Sequence, residues 1–208
     1  MHKSIQYCVL LCLTFFIGKI HSQTFVDSNL PIVIINTDYS ESIYDSPRIF
    51  ANMKIIKHPD GSRNYLSDQN TSAYLNYDGR INIETRGSSS QALDKKPYGL
   101  TTLMPDNFTT NNVGLLDMPS ENDWILNPCN FEPSFMRDYL SYYLSRQLGD
   151  YSSRTVYCEL IVNGDYRGLY LLEEKLKADS NRINISKIIP CSYPLSFKNP
   201  FNLSKDIT

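Results

Sequence analysis

Asn163-Gly164 falls between two runs of strand-forming residues, Thr155 to Val162 and Tyr166 to Leu172. Asn-Gly in that setting accepts the positive φ angles of a tight two-residue turn, so these residues predict an antiparallel β-hairpin. The same reading extends upstream. Leu30-Pro31-Ile32-Val33-Ile34-Ile35-Asn36 is a short apolar run rich in β-branched residues and reads as a buried strand. Ile49 to Ile56 reads as a second, closed by the turn residues His58-Pro59-Asp60-Gly61. Residues 62–78 are polar and read as a hairpin tip or loop. Asp78-Gly79 then introduces Arg80 to Arg86, which alternates with period two, and Pro97 to Leu103 and Asp123 to Asn127 follow as further strands.

One helix is expected among them. Pro133 suits a first helical turn. Met136, Leu140, Leu144 and Leu148 recur four apart beside Phe135, Tyr139 and Tyr143, a stripe expected to face a core. Gly149 closes the helix in the C′ position. Several strands, one packed helix and a hairpin predict an α+β fold with a mainly antiparallel sheet. At 41% hydrophobic and 20% charged, the chain has the apolar content for one domain with a core.

The two ends differ from the middle. Residues 1–22 carry Lys3, an apolar run from Tyr7 to Gly18 and a small residue at Ser22, the pattern of a secretory signal peptide. That run is short for a bilayer span, and no later segment is apolar enough for one. Residues 188–208 contain Pro190, Pro194 and Pro200 without periodicity and read as an irregular, truncated end. Cleavage after Ser22 removes Lys3 and Lys19 and no acid, so 20 basic residues become 18 against 22 acidic ones and the net charge moves from −2 to −4. Such a balance excludes non-specific nucleic-acid binding. It also leaves Cys129, Cys158 and Cys191, enough for at most one internal disulfide and matching no zinc spacing. Buried or unpaired thiols are the simpler reading.

Two places carry candidate chemistry. Arg86-Gly87-Ser88-Ser89-Ser90 follows a strand, and an Arg, a Gly and three hydroxyls can present donors to a phosphate or form a solvated turn. Lys95-Lys96-Pro97-Tyr98 opens the next strand, where a lysine can neutralise phosphate charge or lie on the surface. Alternation puts Lys96 on the face of Tyr98 and Leu100, the inward one, and Lys95 on the other. No nucleophile system, phosphate loop of the Walker type or metal-ligand spacing stands out.

In order, Arg86-Gly87-Ser88-Ser89-Ser90, Lys95-Lys96-Pro97-Tyr98, Leu115 to Pro119, Glu121-Asn122-Asp123-Trp124-Ile125-Leu126, Ser134 to Arg137, Cys158-Glu159-Leu160, Asn163 to Tyr170, Glu174-Lys175 and Asn181-Arg182 resemble the CotH family, named for a bacterial spore-coat protein. The resemblance covers residues 28 to 187, within a domain read as 23–187. It implies the small lobe of an atypical, secreted protein kinase, use of ATP and Mg²⁺, and phosphorylation of Ser-rich secreted or coat proteins. It further implies cofactor-binding roles for Arg86, Ser88, Ser89, Lys95, Lys96 and Glu174, the last near the adenine. The family's catalytic and metal-binding aspartates follow a Gly-Gly-Tyr segment that this sequence does not contain, so the second lobe is expected to be absent and no catalytic or metal-binding residue is assigned. The polypeptide is expected to transfer no phosphate by itself. The alternative expectation is a non-catalytic secreted surface, coat or adhesion protein.

Overall fold

The computed structural model describes residues 25–149 and 151–185, so the segments read as signal peptide and as irregular end lie outside the described residues. In chain order the elements are β1 (Asp27–Ser28), β2 (Ile32–Thr37), β3 (Ile49–Ile56), β4 (Asn64–Tyr65), β5 (Leu75–Thr85), β6 (Tyr98–Leu103), β7 (Asp123–Asn127), α1 (Arg137–Gln147), β8 (Thr155–Val162) and β9 (Asp165–Glu174). β1 and β4 pair as a small antiparallel ribbon. The other seven strands form a closed barrel in the order β2-β3-β5-β6-β7-β9-β8. All barrel neighbours run antiparallel except β2 and β8, which close it in parallel with Ile32 opposite Glu159 and Ile35 opposite Val162. The Asn163-Gly164 turn joins β8 to β9 with both residues at positive φ.

The interior follows from alternation along the strands. Val33, Ile35, Met53, Ile81, Ile83, Leu100, Trp124, Leu126, Leu160 and Leu172 point inward and are buried together. β2 is apolar on successive residues because both its faces are covered. Ile32 and Ile34 form a second cluster with Ile56 and Ile161, and Phe25, Leu66, Tyr74 and Leu75 pack over it. The region read as a polar loop supplies this cover, with β4, 3₁₀ turns at Leu66–Asn70 and Ser72–Tyr74, and the first residues of β5. Cys129 and Cys158 are buried and unpaired.

Two corrections follow. The fold is mostly β, a closed seven-stranded barrel, and the expectation of an α+β kinase small lobe with a principal packed helix is overturned. A closed barrel fills its interior with its own side chains, so its core needs no helix to cover it. α1 accordingly buries no residue completely. Its expected core stripe faces outward, with Met136 48%, Leu140 40%, Leu144 57% and Leu148 83% exposed. Polar and aromatic groups make the contacts with the barrel side. Asn127 Nδ2 donates to Asp138 at 3.0 Å, and the Tyr139 ring lies 5.3 Å from that of Tyr157. The helix also starts later than expected. Phe135 takes a φ of 57°, and Glu132 accepts hydrogen bonds from the Met136 and Arg137 N–H groups, so Pro133 belongs to the preceding turn.

Leu144→Glu is therefore expected to change stability by less than about 0.5 kcal/mol, while Leu126→Ala, inside the barrel, costs about 2–5 kcal/mol. Urea unfolding followed by fluorescence of the buried Trp124 measures both. Equal losses would place the α1 stripe in a core.

Candidate functional site

β5 ends at Thr85, and the Arg86 N–H donates to the Pro97 carbonyl at 3.0 Å, fixing the neck of the loop between β5 and β6. Gly87 takes a φ of +91°, and a Cβ there would lie 2.2 Å from Ser90 Oγ. Glycine thus lets the chain turn back and lets Ser90 fold against it. Gln91 Nε2 donates to the Gly87 carbonyl and closes the turn. Arg86, Ser88 and Ser89 are exposed on this loop, and Ser90 is half-buried.

Arg86, Gly87, Ser90 and Pro97 form one side of a cleft of about 220 Å³. Its floor is the outer wall of the barrel. Trp124, Leu126 and Leu172 point inward, so Ile125, Asn127 and Glu173 point out, and Ile125 and Glu173 are register partners. The turn after β7 supplies the far side through Pro128, Asn130 and Phe131. Asn130 Nδ2 donates to the Lys95 carbonyl at 2.6 Å and ties that turn to the β5–β6 connection.

Glu173 is the unusual group of this cleft. It is 5% exposed, and its Oε2 has no hydrogen-bond partner. Burial, reinforced by the charge of Asp138, pushes its carboxyl up to about 7, while Arg86 and Asn127 pull the other way. A basic, hydroxyl-bearing loop thus faces an acid that gives up its proton only near neutrality.

The other expected residues lie elsewhere. Ser88 and Ser89 sit on the loop but do not line the cleft. The two lysines are oriented opposite to the expectation from alternation, because they precede the regular strand that begins at Tyr98. Lys95 turns inward, donating to the Pro128 carbonyl at 3.0 Å and to the Leu169 carbonyl, over the Tyr170 ring at 4.5 Å. Burial lowers its pKa. Lys96 donates to the Gln91 carbonyl and lines a different cavity with Asn163 and Arg167. Glu174 is sunk on the other side of β9. It accepts from Arg182 at 2.8 Å with both side chains fully buried, and also from Arg154 and Tyr151. The structure therefore brings Arg86 and its loop to the cleft, and adds Glu173, Asn127 and Asn130, which sequence reasoning missed. Alternation offered the only signal: with Leu172 inward, Glu173 must point out.

A phosphate fits this donor set, since a guanidinium and a loop hydroxyl converge on one cleft. Mg²⁺ fits less well. It takes oxygen ligands, and among the described residues no three acidic, His or Cys side chains converge on a point. Nor is any helix among the described residues long and apolar enough to cross a membrane.

A barrel with a basic, serine-bearing loop over an outer-wall cleft defines the class, and comparison gives the family. The family model for CotH kinase protein matches residues 83–206, more than half of the 208 residues, and the chain belongs to the CotH family. All residues lining the cleft fall within that match. Among curated proteins, none matches.

The Glu173 environment has a pH signature. The unfolded chain loses this proton near 4.5 and the folded chain near 7, so folding stability falls as pH rises from 4.5 to 7 and stays reduced above. Glu173→Gln is expected to stabilise the protein at pH 8 by on the order of 2–3 kcal/mol, with the gain vanishing at pH 4.5. Urea unfolding at both pH values reads it. A gain independent of pH would contradict the buried, neutral carboxyl.

Proposed function

We propose that the cleft beneath the 86–90 loop holds the phosphate groups of a nucleotide, ATP being the one the family implies. On this reading the chain serves the phosphorylation of Ser-rich proteins outside the cell. The observation that carries it is the convergence of Arg86, Gly87 and Ser90 on one cleft inside the family-matched region. Arg86 offers up to five N–H donors in a planar fork suited to phosphate oxygens. Ser90 adds a hydroxyl held in place over Gly87. Lys95 and Lys96 act in this reading by shaping the loop, since their ammonium groups bond to carbonyls around it. Glu174 holds the chain after β9 through Arg182. Secretion directed by residues 1–22 belongs to the same proposal.

A second reading, a non-catalytic secreted surface or coat protein, is favoured by the outward apolar stripe of α1. Nucleotide binding separates the two. Titration calorimetry at pH 6.5 is expected to show ATP binding by the purified chain, and Arg86→Ala to weaken it by about tenfold to a hundredfold, the worth of a charge-assisted hydrogen bond. Labelled ATP with a Ser-rich peptide is expected to leave the peptide unlabelled when this polypeptide acts by itself. Absence of ATP binding would favour the second reading, and label transfer would place the catalytic groups within this chain.

A further inference from the structure

The phosphate reading leaves one feature of the cleft unexplained: an acid opposite the arginine. Glu173 is 5% exposed and lines the cleft, and its Oε2 is buried without a partner. A buried carboxyl oxygen without a partner is costly, most of all when it is ionised. An ionised Glu173 would serve a phosphate badly. Asp138, bonded to Asn127 beside it, already contributes a negative charge, and Arg86 is the cation lining the cleft. With Glu173 ionised the three groups carry one more negative than positive charge, and a phosphate would be repelled from its floor. With Glu173 protonated, Arg86 and Asp138 balance, and the carboxyl becomes a donor.

We infer that Glu173 contacts the bound phosphate as a neutral carboxylic acid, so that the cleft takes up a proton from solvent as the phosphate enters. This rests on the phosphate reading above. The proton moves from water to a Glu173 oxygen and stays there, shared in a hydrogen bond with a phosphate oxygen. No covalent bond of the ligand changes. The surroundings fit this from each side. From α1 come Asp138, whose charge opposes ionisation of Glu173, and Tyr142, which burial keeps in its phenol form. From the turn after β7 comes Cys129, whose thiol burial pushes up to about 11, so it adds no charge near neutrality. β8 places Thr155 opposite Glu173, an uncharged neighbour whose hydroxyl is also buried without a partner. Arg86 and, more weakly, Asn127 favour the ionised form, and a bound phosphate would draw the Arg86 charge away.

The test is titration calorimetry of the full chain with ATP and, separately, with inorganic phosphate, in buffers of different ionisation enthalpy, for the native protein and Glu173→Gln. The glutamine keeps a donor and cannot ionise, so the difference in proton count between the two proteins isolates Glu173 from the ligand's own titration. At pH 7.5 the native protein is expected to take up a large fraction of one proton more than the variant. Its affinity is expected to fall as pH rises from 6 to 8.5, where the variant binds about tenfold or more tightly than the native protein. The same difference with inorganic phosphate shows that the phosphate suffices; a difference with ATP alone shows that the nucleoside is needed too, and both support the inference. Binding with equal proton counts in the two proteins overturns the role of Glu173 and leaves the phosphate reading standing. No binding of either ligand at any pH overturns the phosphate reading itself.

Discussion

The parallel pairing of β2 with β8 is the constraint on which the rest of the structure depends. Six of the seven barrel contacts are antiparallel neighbours, and without the seventh they would form an open, twisted sheet with two free edges. Joining Ile32–Ile35 to Glu159–Val162 removes both edges and turns one face of every strand into an interior. That interior is filled by the strands' own side chains together with Leu115, Leu116 and Met118 from the β6–β7 connection. The outer face of β2 is apolar as well, through Ile32 and Ile34, and Leu66, Tyr74 and Leu75 of the 57–75 excursion return over it. α1 is then left to lie outside, held by Asp138, Tyr139 and Arg146 rather than by its leucines.

The same alternation gives two adjacent glutamates opposite fates. Glu174 points to the inner side of β9, where Arg182 pairs with it and stacks over the Trp124 ring at 4.9 Å. Removing either member of a buried pair strands a charge, so this contact fastens the chain beyond β9 to the barrel. Glu173 points outward into the cleft and has no such partner. One acid is spent on architecture, and its neighbour is left available to a ligand.

Much of the barrel was legible in the sequence because its strands are short apolar runs bounded by turn residues. Ile49–Ile56, Asp123–Asn127 and Thr155–Val162 match the structure end to end, and Asn163-Gly164 makes the expected turn. Closure was not legible. Two strands separated by more than a hundred residues pair in parallel with no local turn to announce it. The helix was legible as a helix, but a four-residue apolar period does not say which side meets the protein, and here Met136, Leu140 and Leu144 lie on the outer side. In the site, Arg86 and Ser90 were marked by a compact motif, whereas Glu173 owes its character to burial and to Asp138 on another element. The lysines misled for a similar reason. Strand alternation was extended to Lys95 and Lys96, which belong to the loop.

On this reading the outer-wall cleft, not the cavity beside Lys96, receives phosphate. Amide chemical-shift mapping of the ¹⁵N-labelled protein during ATP titration tests it most directly. Saturable shifts are expected at Gly87 to Ser90, Asn127, Cys129 to Phe131 and Glu173. Shifts confined to Lys96, Asn163 and Arg167, or none at all, would contradict it.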